Sequence, residues 1–233
     1  MRKDSRAMVW DFHTHTFLSD GALLPIELIR RAIVNGYKAI GLTDHASAGN
    51  VGSLVPALIA ECRLAEEHWD IRAIPGVELT HLPPGAIADV AAEARRLGAE
   101  LVVVHGETPV EPVAPGTNLA ALNCRDVDIL AHPGPIDGEL AAHAARAGVF
   151  LEISARRGHS LANGAVVSVG RQAGAAFLIG SDAHSPGDIL TEDFQRRVGL
   201  CAGLSAHEVE VVLRENTRRL LEKIDARRAG RSQ

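Results

Sequence analysis

Two histidines separated by one residue, followed by an acid, are the first residues of the chain that could do chemistry. His13 and His15 follow a short apolar run, and Asp20 lies just beyond them in a turn-rich segment. On an extended strand, residues i and i+2 point to the same side, so His13 and His15 can bind one metal ion. The stretch therefore predicts a metal site, with Asp20 as a further candidate ligand.

The same arrangement, a strand that ends in a metal-type ligand, recurs along the chain. The further candidates are Asp44, His45, Glu78, His105, His132, Asp182 and His184. One histidine after a strand is more often a hydrogen-bonded structural residue than a ligand. Without Asp44, the set still holds six histidines and three acids at the ends of six strands. Together they would be costly without compensation, and metal ions are the usual compensation.

Seven apolar runs with strand character must position these residues. They lie near 9–13, 38–43, 71–78, 100–105, 127–132, 149–153 and 176–181. The segments between them are mostly helical, and near-continuous apolar strands that alternate with helices indicate a parallel sheet buried on both faces. In a parallel α/β barrel, the carboxyl ends of all strands meet on one face. We therefore predict a barrel that gathers the candidate ligands.

The chain reads as one domain. It has 233 residues and no composition break, low-complexity tract or repeat. We expect a disordered tail over 1–7, a single domain over 8–225 and a frayed tail over 226–233. Two long irregular segments, 106–116 and 155–164, are typical of functional loops.

Composition excludes several classes of function. The net charge of −5 gives no general attraction for duplex nucleic acid, and an aromatic share of 3% argues against a stacking platform for single strands. The three cysteines are scattered and form no disulfide framework or zinc finger. No apolar run approaches the roughly 20 residues that span a bilayer. The polar first seven residues lack a signal-peptide pattern, so we expect a cytoplasmic protein. The sequence does not indicate an oligomeric state.

The types of candidate ligand restrict the metal. Imidazole and carboxylate without thiolate suit Zn, Mn, Fe or Ni. Nine ligands are too many for one ion, whereas two or three ions that share a carboxylate would use them all. Closely spaced metal ions favour hydrolytic displacement at phosphorus or carbon.

The ordered series of motifs resembles the PHP superfamily, named from polymerase and histidinol phosphatase, over essentially the whole chain. The matching segments are His13-Thr14-His15 with Ser19-Asp20-Gly21, Leu42-Thr43-Asp44-His45, Pro75-Gly76-Val77-Glu78, Val104-His105-Gly106, Ala131-His132-Pro133 and Gly180-Ser181-Asp182-Ala183-His184. The resemblance implies a distorted (β/α)7, TIM-like barrel with a mostly parallel sheet, which agrees with the seven apolar runs.

The resemblance also implies a trinuclear site in which Glu78 bridges two ions. The three ligand sets are His13, His15, Glu78 and Asp182; then Glu78, His105 and His132; and finally Asp20, His45 and His184. Asp44 is expected to support the site and not to bind metal. The cofactors are then two or three divalent ions of zinc, manganese or iron.

The activity that the resemblance implies is a metal-dependent phosphoesterase acting on a small phosphate monoester, either histidinol phosphate or a nucleotide-type phosphate. A hydroxide that bridges two ions would attack phosphorus in line, because bound metal can lower the pKa of water from about 15.7 to about 7. Arg156, Arg157 and His159, after the sixth strand, are candidates to bind the phosphate. For the two arginines, a solvated surface pair is an equally good interpretation.

Two other classes of function stay open. An amidohydrolase that cleaves C–N or C–O bonds also begins with H-x-H after its first strand. That family typically carries a modified lysine on the fourth strand, where this chain has His105 and no lysine nearby. A non-catalytic PHP accessory module would have lost ligands, whereas all nine positions are filled here.

The remaining titratable residues are expected to have ordinary roles. We expect surface or packing histidines on helices at His68, His143 and His207. We expect His81 to be a loop residue. Glu107 and Glu152 are weaker candidates for contact with the site.

Overall fold

A parallel sheet, nearly closed on itself, forms the centre of the molecule. The computed structural model describes residues 8–231. The strands are β1 (Val9–Asp11), β2 (Tyr37–Leu42), β3 (His45–Ala46), β4 (Arg72–Leu79), β5 (Leu101–His105), β6 (Ile129–Ala131), β7 (Phe150–Ser154) and β8 (Phe177–Gly180). Seven of them pair in the order β1-β2-β4-β5-β6-β7-β8, all parallel, and the short β3 pairs with β4. The predicted distorted (β/α)7 barrel is confirmed.

The barrel closes between the segments that follow its first and last strands. Thr14 and Ala183 form an isolated parallel bridge. The backbone N–H of His15 donates to the carbonyl of Ala183 at 2.8 Å, and that of Asp182 donates to the carbonyl of His13 at 2.9 Å. The backbone bonds that close the barrel therefore involve three of the predicted metal ligands, His13, His15 and Asp182.

Helices connect the strands and cover the sheet. They are α1 (Pro25–Val34), α2 (Val51–His68), α3 (Ile87–Leu97), α4 (Thr117–Asn123), α5 (Gly138–Ala147), α6 (Asn163–Ala173), α7 (Glu192–Cys201), α8 (Ala206–Glu210) and α9 (Thr217–Arg231), with a π-helical segment over Val211–Asn216. Pro25 opens α1, as is typical of a first helical turn. Ser205 and Glu208 form a capping box at the start of α8.

The interior of the barrel is filled by apolar side chains, and α9 seals one end. Phe12, Leu101 and Ile129 lie in the same buried cluster as Leu220 and Ile224 of α9. Because α9 also reaches the residue that precedes β6, it covers the amino-terminal ends of the strands. The opposite face, at the carboxyl ends, stays available for a site.

The described carboxyl-terminal segment is helical. Helix α9 extends to Arg231 and so includes part of the segment 226–233, for which the sequence predicts fraying. Arg227 pairs with the buried Asp128 at 2.7 Å, and Arg228 pairs with Glu66 at 3.2 Å, which hold the last turns in place. The predicted disordered tail over 1–7 lies outside the described residues. Within 8–231, no helix has the length and apolar character to cross a bilayer.

Candidate metal centre

The structure brings the nine predicted ligands together at the carboxyl ends of the strands. His13, His15 and Asp20 follow β1, Glu78 lies in β4 and His105 ends β5. The others are His45, which begins β3, His132, which follows β6, and Asp182 and His184, which follow β8. All are buried or half-buried except Asp20, whose side chain is 53% exposed. A parallel barrel thus places residues that are far apart in sequence around one centre.

The first predicted ligand set surrounds Glu78 at the base of the site. The ligand atoms of His13, His15 and Glu78 lie within 4.8 Å of one another. His13 Nε2 is 3.2 Å from Glu78 Oε1, and His15 Nε2 is 3.8 Å from Glu78 Oε2. Asp182 Oδ1 completes the group at 3.3 Å from His15 Nε2 and 4.0 Å from His13 Nε2.

The second set approaches the same carboxylate through His132. His132 Nε2 is 3.4 Å from Glu78 Oε1. The ligand atoms of His105, His132 and His159 are within 4.8 Å of one another. His159, which was predicted to bind substrate, therefore lies among metal-type side chains and is buried with them.

The third set lies nearer the surface. The ligand atoms of Asp20, His45, His184 and His15 are within 4.8 Å of one another. Asp20 Oδ1 is 3.1 Å from His184 Nε2, 3.5 Å from His45 Nε2 and 3.9 Å from His15 Nδ1. Asp20 thus faces the outer histidines, as the predicted third set requires.

The chemistry of these side chains fits divalent metal ions. Among the described residues, several buried atoms have no hydrogen-bond partner: His13 Nε2, both ring nitrogens of His15, Glu78 Oε1 and His132 Nδ1. An unsatisfied buried polar atom costs roughly 1–3 kcal/mol. Nitrogen and carboxylate donors without thiolate are typical of hydrolytic metal sites, where they bind ions at about 2.0–2.2 Å. Most of the unpartnered atoms belong to the ligand sets around Glu78.

Burial and charge act against each other in the inner set. Burial favours the neutral imidazole and lowers the pKa of His15 to about 4. Burial opposes the charged form of His13 as well, but the carboxylates of Glu152, Glu78 and Asp182 outweigh it and raise the pKa of His13 well above its usual value. Metal binding would replace the proton on such a ring, because the ligand is the neutral imidazole.

Three residues of the site have backbones in the left-handed region. His132 has φ 27°, Asp182 has φ 53° and His81 has φ 52°, and they are the non-glycine residues with positive φ in the described chain. Such conformations cost about 1–3 kcal/mol each and concentrate at functional sites. The fold therefore holds costly backbone conformations at this centre.

Glu152, at the end of β7, supports two predicted ligands. Its Oε1 is 2.7 Å from His13 Nδ1, and its Oε2 accepts a hydrogen bond from the backbone N–H of His132 at 3.2 Å. Gly180 on the next strand makes room, because a Cβ there would collide with the Glu152 carboxylate. This contact leaves His13 Nε2 as the ligand atom.

Asp44 supports the first loop, as expected for an acid that does not bind metal. Its carboxylate accepts hydrogen bonds from the Thr16 backbone N–H at 2.7 Å and from the Ser19 hydroxyl at 2.6 Å. These bonds fix the turn between His15 and Asp20.

Asp11 is a buried acid that the sequence reasoning missed. Its carboxylate accepts hydrogen bonds from the backbone N–H groups of His13 at 3.3 Å and Ser181 at 3.1 Å, and from the Tyr37 hydroxyl at 3.0 Å. Burial raises the pKa of Asp11 to about 6, against the effect of these hydrogen bonds. Asp11 ties the first strand to the last one beneath the site.

The two candidate phosphate-binding arginines lie beside Asp182. Arg156 donates from Nη1 to the Asp182 carbonyl at 3.1 Å, and its Nε is 3.7 Å from Asp182 Oδ2. Arg157 is exposed, and both arginines line a cavity of about 380 Å³ that reaches Asp182. Arg156 is therefore placed next to the centre, whereas Arg157 lies at its edge.

Glu111 is a second acid that the sequence reasoning missed. Its Oε2 is 3.1 Å from both His81 Nε2 and His105 Nε2, and its Oε1 is 3.4 Å from His159 Nε2. The available signal was its position in the long loop that follows β5, on the face where the ligands converge. His81, which was predicted to be a loop residue, lies beside the centre through this contact.

Among the described residues, Glu107 and the histidines of α2, α5 and α8 belong to none of the groups of close ligand atoms. The Glu107 carboxylate accepts hydrogen bonds from the backbone N–H groups of Gly116 and Asn118, at the start of α4. His68, His143 and His207 lie on α2, α5 and α8.

Comparison with known proteins agrees with this geometry. The chain matches the sequence model of the PHP domain over residues 11–221. It is 47% identical over 218 residues to an uncharacterized protein of Methanocaldococcus jannaschii, covering 93% of this chain and 100% of that protein. It is 29% identical over 202 residues to a "Probable phosphatase" of Shewanella sp. strain ANA-3, covering 75% of each.

Solved structures share the architecture at low sequence identity. The "putative histidinol phosphatase hisK" of Listeria monocytogenes aligns with a TM-score of 0.57 and 14% identity, over 78% of this chain and 97% of that one. An amidohydrolase structure aligns with a TM-score of 0.59 and 15% identity, over 94% of this chain and 75% of that one. At such identities the likeness shows the fold alone, a barrel common to both classes of hydrolase.

Proposed function

Because the chain belongs to the PHP domain family, we propose that it is a metal-dependent phosphoesterase that hydrolyses a small phosphate monoester. The observation that carries the proposal is the position of Glu78. Its Oε1 lies 3.2 Å from His13 Nε2 and 3.4 Å from His132 Nε2, which belong to different ligand sets. One fully buried carboxylate that faces both sets is what a bridge between two ions requires.

The proposed ligands fall into the three predicted sets. They are His13, His15, Glu78 and Asp182; then Glu78, His105 and His132; and finally Asp20, His45 and His184. The donor types suit zinc, manganese or iron. When bound, such ions polarise phosphate oxygens and lower the pKa of water from about 15.7 to about 7, which supplies a nucleophile near neutral pH.

The chain's own residues position the substrate and the ligands. Glu152 holds His13 through Nδ1, so the opposite ring nitrogen points into the centre. Arg156 is fixed by one nitrogen to the Asp182 carbonyl, and its other N–H groups can donate to phosphate oxygens in the adjoining cavity. Arg157 contributes positive charge at the entrance of that cavity.

Phosphate release from a panel of esters tests the proposal. The panel contains histidinol phosphate, nucleotide monophosphates and bisphosphates, and an aryl phosphate, each incubated with protein loaded with Mn²⁺ or Zn²⁺. We expect at least one ester to release phosphate and the release to stop when a chelator removes the metal. No release from any ester by metal-loaded protein would contradict the proposal.

An amidohydrolase is the alternative class, and the positions of the lysines argue against it. Lys38 pairs with Asp70 at the start of β2, and Lys223 pairs with Asp128 ahead of β6. Both described lysines therefore lie at the amino-terminal ends of the strands, away from the centre. Hydrolysis of amides or lactones by the same metal-loaded protein, without phosphate release, would favour the alternative.

A further inference from the structure

We propose that Glu111 and His81 are further ligands of the ion that His105 holds, so that a loop at the mouth of the barrel completes the metal site. This inference rests on the proposed function and adds two residues to its second ligand set. The ligand atoms of His81, His105 and Glu111 lie within 4.8 Å of one another. Glu111 Oε2 is 3.1 Å from a ring nitrogen of each histidine.

The orientation of His105 points its ligand atom at Glu111. His105 Nδ1 lies 3.2 Å from the carbonyl oxygen of Gly106. A carbonyl oxygen only accepts hydrogen bonds, so Nδ1 carries the proton and Nε2 faces the carboxylate of Glu111. With Nδ1 protonated, a neutral His105 ring presents Nε2 as an acceptor to the Glu111 carboxylate 3.1 Å away, and a shared cation would satisfy both atoms.

His81 shares an unusual backbone conformation with two proposed ligands. Of the three described non-glycine residues with positive φ, His132 and Asp182 belong to the ligand sets, and His81 is the third. The conformation is costly for a residue with a side chain, and residues that hold it cluster at functional sites. At 39% exposure the His81 ring lies at the outer edge of the centre, whereas His132 is buried.

The loop that carries Glu111 is braced at its base. The Glu107 carboxylate accepts hydrogen bonds from the backbone N–H groups of Gly116 at 3.1 Å and Asn118 at 2.9 Å. The Glu107 N–H donates to Asn118 Oδ1 at 3.0 Å. These bonds tie the start of the loop to the start of α4, and the intervening residues, Glu111 among them, are held over the barrel mouth.

Zinc binding by the full chain tests this inference without any assay of turnover. Metal-free wild type, Glu111→Gln and His81→Asn are titrated with Zn²⁺ against a chromophoric chelator, and the bound zinc is counted by elemental analysis. We expect each substitution to raise the Kd of one ion by about tenfold or more, since even residues that only orient a ligand change metal affinity 10- to 100-fold. The other ions should bind as in wild type.

Exposed residues of the same types provide matched controls. Glu139→Gln on α5 and His68→Asn on α2 should leave every Kd unchanged. Because Glu111 and His81 are more than a third exposed, metal-free variants should also keep the wild-type melting temperature. Wild-type zinc affinities in both Glu111→Gln and His81→Asn would overturn the inference and leave the proposed function intact. A wild type that binds no zinc would overturn both.

Discussion

Glu78 has two oxygens that face different partners. Oε1 lies near His13 and His132, whereas Oε2 is 2.7 Å from His45 Nδ1. Burial disfavours the ionised form, but His13 and His105 outweigh this effect and hold the pKa of Glu78 well below its usual value. The carboxylate is therefore ionised in the folded protein, in the form that binds metal.

Glu152 should control the affinity of the ion on His13 without contacting it. The Glu152→Gln substitution keeps the volume of the side chain. It removes the carboxylate that lies 2.7 Å from His13 Nδ1. We expect the Kd of one ion to rise by about 10- to 100-fold. Chelator competition with Zn²⁺ measures this, with Glu139→Gln as the control. An unchanged Kd would show that Glu152 has no part in holding the ligand.

Arg156 should act mainly on substrate binding. A charge-assisted hydrogen bond contributes about 1.5–3 kcal/mol, so Arg156→Ala should raise KM by roughly 10- to 100-fold. Arg157→Ala should have a smaller effect, since Arg157 is exposed at the edge of the cavity. Steady-state kinetics on the best ester of the panel measures both. Wild-type KM values in both variants would show that neither arginine binds the substrate.

At the scale of elements, apolar runs predicted the seven strands of the barrel because a parallel sheet buried on both faces requires continuous apolar sequence. The short β3 was missed, since its two residues, His45 and Ala46, pair with Glu78 and Leu79 without any apolar run of their own. The convergence of the proposed ligands on one face could be predicted as well, because most of them lie at the carboxyl ends of strands or just beyond.

Contacts between distant segments could not be predicted from sequence. The apolar stripe of the last helix ends at Ile224, so the pattern gave no reason to continue it. Its last turns are held by Arg227, whose partner Asp128 is 99 residues away. Glu111 was missed for the same reason, because His81, its partner in the fold, is 30 residues away in sequence.

The attachment of α9 predicts a pH dependence of stability. Asp128 is fully buried, and burial raises its pKa. The positive charges of Arg95, Arg227 and Lys223 outweigh this effect and lower the pKa from 3.8 to about 2. A lowered pKa means that the folded state favours the ionised acid. The stabilisation is complete above about pH 4 and is lost as the pH falls towards 2.

Denaturant unfolding of wild type and Asp128→Asn measures this contribution. The pKa difference corresponds to about 2 kcal/mol. The gap in unfolding free energy between the two proteins should be largest above pH 4 and should shrink by about that amount towards pH 2. A gap that does not change with pH would contradict this account of Asp128.

For the whole molecule, the two ends of the barrel have separate tasks. The proposed ligands lie at the carboxyl ends of the strands, whereas Asp128 and α9 lie at the amino ends. This division is typical of βα barrels, in which one face carries chemistry and the other stability. Changes at Asp128 should therefore alter unfolding and leave metal binding unchanged.

The bridging role of Glu78 is the central claim, and the metal content of Glu78→Gln tests it most directly. Elemental analysis after saturation with Zn²⁺ should count three ions in wild type and in Glu139→Gln. The Glu78→Gln protein should hold two ions fewer, because the carboxylate belongs to both inner ligand sets, and its phosphate release should fall to background. Loss of a single ion, or a full complement of metal with normal turnover, would contradict the bridge.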